Sequence, residues 1–272
     1  NPANGEERVL HESRQLLLAP DISPEGSRIA YFAAARSGGM QLFSLPADGG
    51  APTQLTSDPL AAHAIPRWSA DGRDVYFYLS GASTAYAKVN VASRDVTVVV
   101  PGWDWFNANG ASMSPDGTRV VYSRLNGQVP VETLVREVDD QSDTMFVAAL
   151  EYPRWSSDGS RIAGALHRDQ RFPGDVSICQ ADGSGCRLVA SGARIPVWSA
   201  DETSLYYVRG FGPSQSLFVR SADEADEERA ILEMGPLHLL GPFYTVTHDG
   251  KVVWVRYVKD DGEVWMADLP RI

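Results

Sequence analysis

Read for hydrophobic and polar positions alone, the chain is a succession of apolar runs about four to six residues long, separated by polar turns, and no segment carries the period of an amphipathic helix. Six of the turns share one pattern: Ile22-Ser23-Pro24-Glu25-Gly26, Trp68-Ser69-Ala70-Asp71-Gly72, Met113-Ser114-Pro115-Asp116-Gly117, Trp155-Ser156-Ser157-Asp158-Gly159, Trp198-Ser199-Ala200-Asp201-Glu202 and Val246-Thr247-His248-Asp249-Gly250. The first position is large and apolar, the second carries a hydroxyl, the fourth is acidic, and the fifth is Gly in five of the six. Counted at the hydroxyl, the turns are 46, 45, 42, 43 and 48 residues apart.

The chemistry of the pattern is that of a tight turn between two strands. A hydroxyl or carboxylate bonds the backbone just ahead, and Gly accepts positive φ without a Cβ clash. A β-rich run follows each turn, as in Arg28 to Phe32, Asp74 to Tyr78, Ser204 to Val208 and Lys251 to Val255. A second strand, another turn such as Ala47-Asp48-Gly49-Gly50, and a third strand come next. With the strand ahead of the turn, each unit holds four strands, and four antiparallel strands repeated at this period predict a propeller blade. The predicted fold is all-β, a six-bladed β-propeller with four-stranded antiparallel blades, forming one domain over residues 1–272. The sixth unit stops one outer strand short, and a spare β-like stretch, Glu7-Arg8-Val9-Leu10-His11, precedes the first unit. The N-terminal strand is therefore expected to close the last blade, which hides edges that an open array would expose.

The turn preceded by Trp, as in Pro66-Arg67-Trp68-Ser69 and Pro153-Arg154-Trp155-Ser156, resembles the TolB-type (WD40-like) propeller repeat, and the resemblance covers nearly the whole chain. It implies the fold more strongly than any activity, because one fold hosts many functions. Proteins with this repeat include periplasmic envelope proteins, sensor halves of bacterial Ser/Thr kinases and winged-helix regulators, and propellers attached to serine peptidases. The chain lacks room for the separate N-terminal α/β domain of TolB itself, so it is expected to be a different protein with the same repeat.

Composition narrows the partners. The 272 residues carry 24 Lys+Arg against 35 Asp+Glu, a formal charge of −11, and this balance argues against nucleic acid and against an anionic membrane surface. No apolar run is long enough to span a bilayer; the longest, such as Val96 to Val100, are strand-sized, so no direct membrane insertion is expected. The chain begins at Asn1, not Met, as expected of a processed protein or a piece of a longer one.

Sequence signals for catalysis are weak. Gly81-Ala82-Ser83-Thr84-Ala85 and Gly212-Pro213-Ser214-Gln215-Ser216 approach the nucleophile-elbow pattern but lack its closing Gly. His11-Glu12 begins like a zinc helix, but Gln15 stands where the second His belongs. His63 and His238 each precede an inner strand, where one rim would gather them, although exposed loop histidines are the simpler reading. No metal site, cofactor or catalytic residue is expected. The acidic run Asp223 to Glu228 reads as a solvated loop.

The loops entering the inner strands form one rim of a propeller, and one of them is unlike the rest. Trp103-Asp104-Trp105-Phe106-Asn107-Ala108-Asn109 interleaves three aromatics with a carboxylate and two amides, equipment for stacking and orienting a sugar or peptide. The competing reading is that Trp103 or Phe106 plugs the space between blades. Arg67 and Arg154 share one register just ahead of an inner Trp, and either hold an anionic ligand group or pair with carboxylates of neighbouring blades. Trp68, Trp155 and Trp198 are expected to pack between blades. Cys179 and Cys186 fall on opposite arms of one hairpin, and a disulfide between them would imply an oxidising compartment.

The expected function is that of a non-catalytic propeller binding a protein or small-molecule ligand at its rim, monomeric as an isolated domain. It would serve as the extracytoplasmic (periplasmic or extracellular) sensor or interaction domain of a larger bacterial signalling protein. The alternatives are a substrate-gating propeller of a larger serine peptidase or hydrolase and a free-standing periplasmic scaffold.

Overall fold

The structure is a computed structural model and describes residues 8–13, 17–36, 38–57, 65–80, 84–102, 108–126, 129–146, 149–166, 174–211, 214–223, 227–233, 244–247, 250–258 and 261–268. Its strands are β1 (Arg8–Ser13), β2 (Leu17–Ile22), β3 (Arg28–Ala34), β4 (Met40–Pro46), β5 (Thr53–Gln54), β6 (Arg67–Trp68), β7 (Asp74–Leu79), β8 (Ala85–Asn90), β9 (Val96–Pro101), β10 (Ala108–Met113), β11 (Arg119–Asn126) and β12 (Val129–Glu137). They continue with β13 (Asp143–Phe146), β14 (Leu150–Trp155), β15 (Arg161–Leu166), β16 (Asp175–Gln180), β17 (Arg187–Ala190), β18 (Arg194–Trp198), β19 (Ser204–Phe211), β20 (Ser214–Ser221), β21 (Arg229–Glu233), β22 (Tyr244–Val246), β23 (Lys251–Val258) and β24 (Asp261–Asp268). Blades one to five are the antiparallel sheets β2–β5, β6–β9, β10–β13, β14–β17 and β18–β21 of a six-bladed propeller. Blade six is β22–β24 with β1 as its outer strand, Val9 standing opposite Trp265 and Glu12 opposite Glu263. The N-terminal strand thus completes the last blade. Residues 1–103, 211–215 and 233–272 form one compact unit, holding blades six, one and two. Residues 104–210 and 216–232 form another, with blades three, four and most of five.

The repeated turn works through one hydroxyl. Ser69, Ser114, Ser156 and Ser199 each accept, on Oγ, the amide hydrogen of the residue five positions on, at 2.9, 2.9, 2.9 and 3.0 Å. Each also donates to the carboxylate two positions on, Asp71, Asp116, Asp158 and Asp201. The fifth residue turns left-handed: Gly72 has φ 69° and Gly159 71°, while Glu202, the departure from Gly, is held at 58°.

Apolar layers lie between successive blades within each unit. Leu17, Ile29, Tyr31 and Leu45 of blade one pack with Val253, Val255, Val264 and Met266 of blade six. In the other unit, Val121 and Val135 meet Leu150, Trp155 and Ile162, and Ala163, Val176 and Ile178 meet Leu205 and Tyr207.

The inner Trp residues are more than packing. Trp68 Nε1 donates to the Asp21 carbonyl at 3.2 Å, Trp155 Nε1 to that of Ser112 at 3.1 Å, and Trp198 Nε1 to that of Arg154 at 3.3 Å. All three acceptors stand one residue ahead of the turn pattern in the preceding blade. A guanidinium covers two of the rings: Arg119 lies 4.8 Å from the Trp155 centroid and Arg161 4.8 Å from that of Trp198.

Two outcomes are expected. Trp198→Phe keeps an aromatic ring but leaves the Arg154 carbonyl without its donor, and should cost about 1–2 kcal/mol, read as a lower urea midpoint at unchanged slope. The hydroxyl bonds hold Asp71, Asp116 and Asp201 below their ordinary 3.8 and Asp158 down to about 2. Carboxylates with folded pKa values below the unfolded ones stabilise fully above the unfolded values and lose that contribution as pH falls through the folded ones. Stability should therefore fall between pH 4 and 2, and Ser156→Ala, which lets the Asp158 value rise, should make the fall shallower.

Candidate functional site

Each inner strand would alternate its side chains between two faces if it were regular. Four of them are not regular. The pairing slips by one residue between Leu18 and Asp21, Asn109 and Ser112, Glu151 and Arg154, and Arg194 and Val197. At the same place the backbone turns left-handed: φ is 46° at Ala19, 68° at Gly110, 50° at Tyr152 and 55° at Ile195, and Ile65 of blade two matches at 76°. For a β-branched residue this conformation costs about 1–2 kcal/mol. Blade three uses glycine because a Cβ at Gly110 would meet the Tyr152 Cα at 2.6 Å. The extra residue brings side chains three apart onto one face, since Asp21 and Leu18 pair with Ala30 and Phe32, two apart on β3.

This face carries charge toward the next blade. Asp21 and Arg67 are 7% and 8% exposed, and Arg67 Nη1 lies 3.6 Å from Asp21 Oδ1. The Trp68 amide donates to Asp21 Oδ2 at 2.9 Å, and Thr245 Oγ1 donates to Asp21 Oδ1 at 3.4 Å. Arg67 Nη1 donates to the Pro66 carbonyl at 2.9 Å, while its buried Nε has no acceptor among the described residues. In the other unit, Glu151 and Arg154 share one face of β14, and Arg194 follows on β18. Burial lowers the pKa of Arg194, and the charge of Glu151 opposes that shift.

The residues singled out in the sequence fall into two groups. Arg67 is committed to Asp21 of the preceding blade, and Arg154 is half-buried with its carbonyl receiving the Trp198 indole. Trp103, Asp104, Trp105, Phe106, Asn107, His63 and His238 lie outside the described residues, as does the side chain of Asn109, whose backbone pairs with Ser123. Cys179 and Cys186 are joined in a disulfide, S–S 2.02 Å and Cα–Cα 4.0 Å. Two members of the acidic run are tethered: Asp223 pairs with Arg161 at 3.0 Å, and Glu228 accepts from Tyr207 at 2.8 Å and Arg209 at 2.7 Å. Burial would raise the pKa of Glu228, but those hydrogen bonds and the Arg209 charge outweigh it and hold it low. Among the described residues no three His, Cys, Asp or Glu side chains group as a metal site. Sequence pattern alone does not single out Asp21, Glu151 or Arg194. A signal for Asp21 is present all the same, because it occupies the register of Arg67 and Arg154, one residue ahead of the turn.

Asp21→Asn should cost about 3 kcal/mol, because it leaves the buried Arg67 charge uncompensated. Arg67→Met should cost less in that background than in the unaltered protein, a coupling that a double-mutant cycle reads from denaturation midpoints.

No protein-family model and no curated protein sequence matches the chain. Solved structures do match in fold. TolB from Acinetobacter baumannii superimposes with a TM-score of 0.68 at 20% identity, over 84% of this chain and 57% of that one, so this chain spans little more than half the length of that protein. A TolB-like protein from Agrobacterium tumefaciens gives 0.71 at 15% identity, over 97% and 94%. An oligogalacturonate lyase in complex with manganese gives 0.64 at 14% identity, over 99% of both chains. The chain has the six-bladed propeller fold of the TolB structures, and that likeness is one of fold alone.

Proposed function

We propose that this chain is a non-catalytic binding propeller, the extracytoplasmic sensor or interaction domain of a larger bacterial signalling protein, and that its ligand engages the rim where the loops enter the inner strands. The observation that carries this reading is the charge held at that end of two inner strands, β14 and β18. Glu151, the second residue of β14, and the buried Arg194, the first of β18, occupy positions that apolar residues would fill at lower cost, since taking charge out of water seldom adds stability. Charge retained there against its cost is suited to recognising a polar ligand. The Trp103 to Asn109 segment leads into β10 along the chain, and its aromatic rings and amides suit a sugar or peptide. The Cys179–Cys186 disulfide supports a compartment outside the reducing cytoplasm, in keeping with the fold likeness to TolB.

The test is thermal unfolding against a panel of acidic peptides, neutral peptides and oligosaccharides. A ligand at a hundredfold its dissociation constant stabilises by about 2.7 kcal/mol, enough to raise the melting temperature by several degrees. Trp105→Ala should abolish that rise and leave the unliganded melting temperature within a degree or two of the original. An equal rise in the variant would refute the rim site, and turnover of a panel member would refute the non-catalytic role.

A further inference from the structure

Blade one ends in an outer strand of 2 residues, β5, whereas the outer strand of blade two, β9, has 6. The short wall leaves part of blade two uncovered. Val98 pairs through Ala87 with Phe77, whose ring lies 6.3 Å from Phe32 of blade one, so Val98 faces blade one; Val96, two residues away, shares that face. Both valines are nevertheless exposed, Val96 at 47% and Val98 at 48%. Between the blades runs a cleft of ≈ 490 Å³ whose walls include Gln54, Leu55, Phe77, Leu79, Arg94 and Val96. That volume lies within the range of ligand pockets.

The edge beside this cleft is uncharged and regular from Val96 to Val98; its pairing slips only between Val98 and Val100, and Pro101 ends the strand. Among the described residues, β9 has β8 on one side and no strand on the other. Outer strands usually carry charges that discourage pairing with foreign chains. Here β1 has Arg8 and Glu12, β13 has Asp143, β17 has Arg187, and β21 has Arg229 and Glu233; β5 is uncharged but only 2 residues long, whereas the longer β9 reads Val-Thr-Val-Val-Val-Pro. The charge sits instead at the entrance. Arg94 lines the cleft, and its guanidinium has no partner among the described residues, in a chain whose net charge is −11.

We propose that β9 and the adjoining cleft form a β-augmentation site for an extended segment of a partner protein. Main-chain hydrogen bonds to the free edge supply affinity, and side chains at alternate positions supply specificity. Apolar side chains of the segment cover Val96 and Val98 and enter the cleft over Leu55, Phe77 and Leu79. An acidic side chain at the end nearest Arg94 pairs with its guanidinium. This surface lies on the outer wall and is independent of the inner-strand rim.

The probe is a fluorescein-labelled peptide, Thr-Val-Thr-Val-Thr-Val-Glu, with a control in which Lys replaces Glu, followed by fluorescence anisotropy on the full chain. The Glu peptide should bind saturably and slow exchange of the amides of residues 96–100. Val96→Lys, at an exposed position, should weaken binding on the order of tenfold or more, and Arg94→Glu should reverse the preference in favour of the Lys peptide. Absence of saturable binding by the Glu peptide would overturn the proposal, as would undiminished binding by Val96→Lys with a native melting temperature. Sedimentation showing a dimer of this chain that Val96→Lys dissociates would also overturn it, by assigning the edge to a second copy.

Discussion

One extra residue in the inner strand is the constraint on which the rest of this propeller depends. A regular strand would send positions three apart to opposite faces, and the slip before Asp21, Ser112, Arg154 and Val197 cancels that alternation. The left-handed backbone at Ala19, Gly110, Tyr152 and Ile195 accompanies the slip. Its result is a polar row aimed at the following blade, with Asp21 meeting Arg67 and Glu151 opposing the burial of Arg194. The carbonyls just past the slip at Asp21, Ser112 and Arg154 are the ones that receive indole hydrogens from Trp68, Trp155 and Trp198. Strain in the backbone, ion pairing and the repeated Trp belong to one arrangement.

The architecture was legible because its chemistry is local. A hydroxyl, a carboxylate two residues on and a glycine make the same turn wherever they recur, so six copies at a near-constant interval predict six blades without knowledge of tertiary contacts. Closure of blade six by β1 was legible as well, from a count of strands at the two ends. The inner-strand bulges were not. Ala19, Tyr152 and Ile195 are not residues whose intrinsic preference announces positive φ, and only tertiary packing holds them there. For the same reason the sequence could place Arg67 and Arg154 in one register but left both a ligand role and a carboxylate partner open. Asp21 decides between them for Arg67, and it stands 46 residues away, beyond the reach of local pattern.

The inner-strand rim and the outer wall at β9 differ in physical character. The inner strands hold buried charge at Asp21, Arg67 and Arg194, which is expensive to keep out of water. The outer wall at β9 offers the opposite among the described residues: an edge with no strand beside it, exposed valines and the Arg94 guanidinium. Under the two proposals, the rim takes one ligand while the wall grips an extended chain, a combination suited to an interaction module.

Hydrogen exchange at the tryptophan indoles, followed by ¹H–¹⁵N spectra under native conditions, reads the fastening of the inner strands itself. Trp68, Trp155 and Trp198 each donate to a main-chain carbonyl of the preceding inner strand. Trp265, half-buried on β24, donates instead to the nearby Glu263 carboxylate, which local motion can open. If the inner strands are fastened as described, the three inner indoles exchange only when blades separate, far more slowly than Trp265 and with the denaturant dependence of large-scale unfolding. Exchange of the three at the rate of Trp265, with no denaturant dependence, would contradict it.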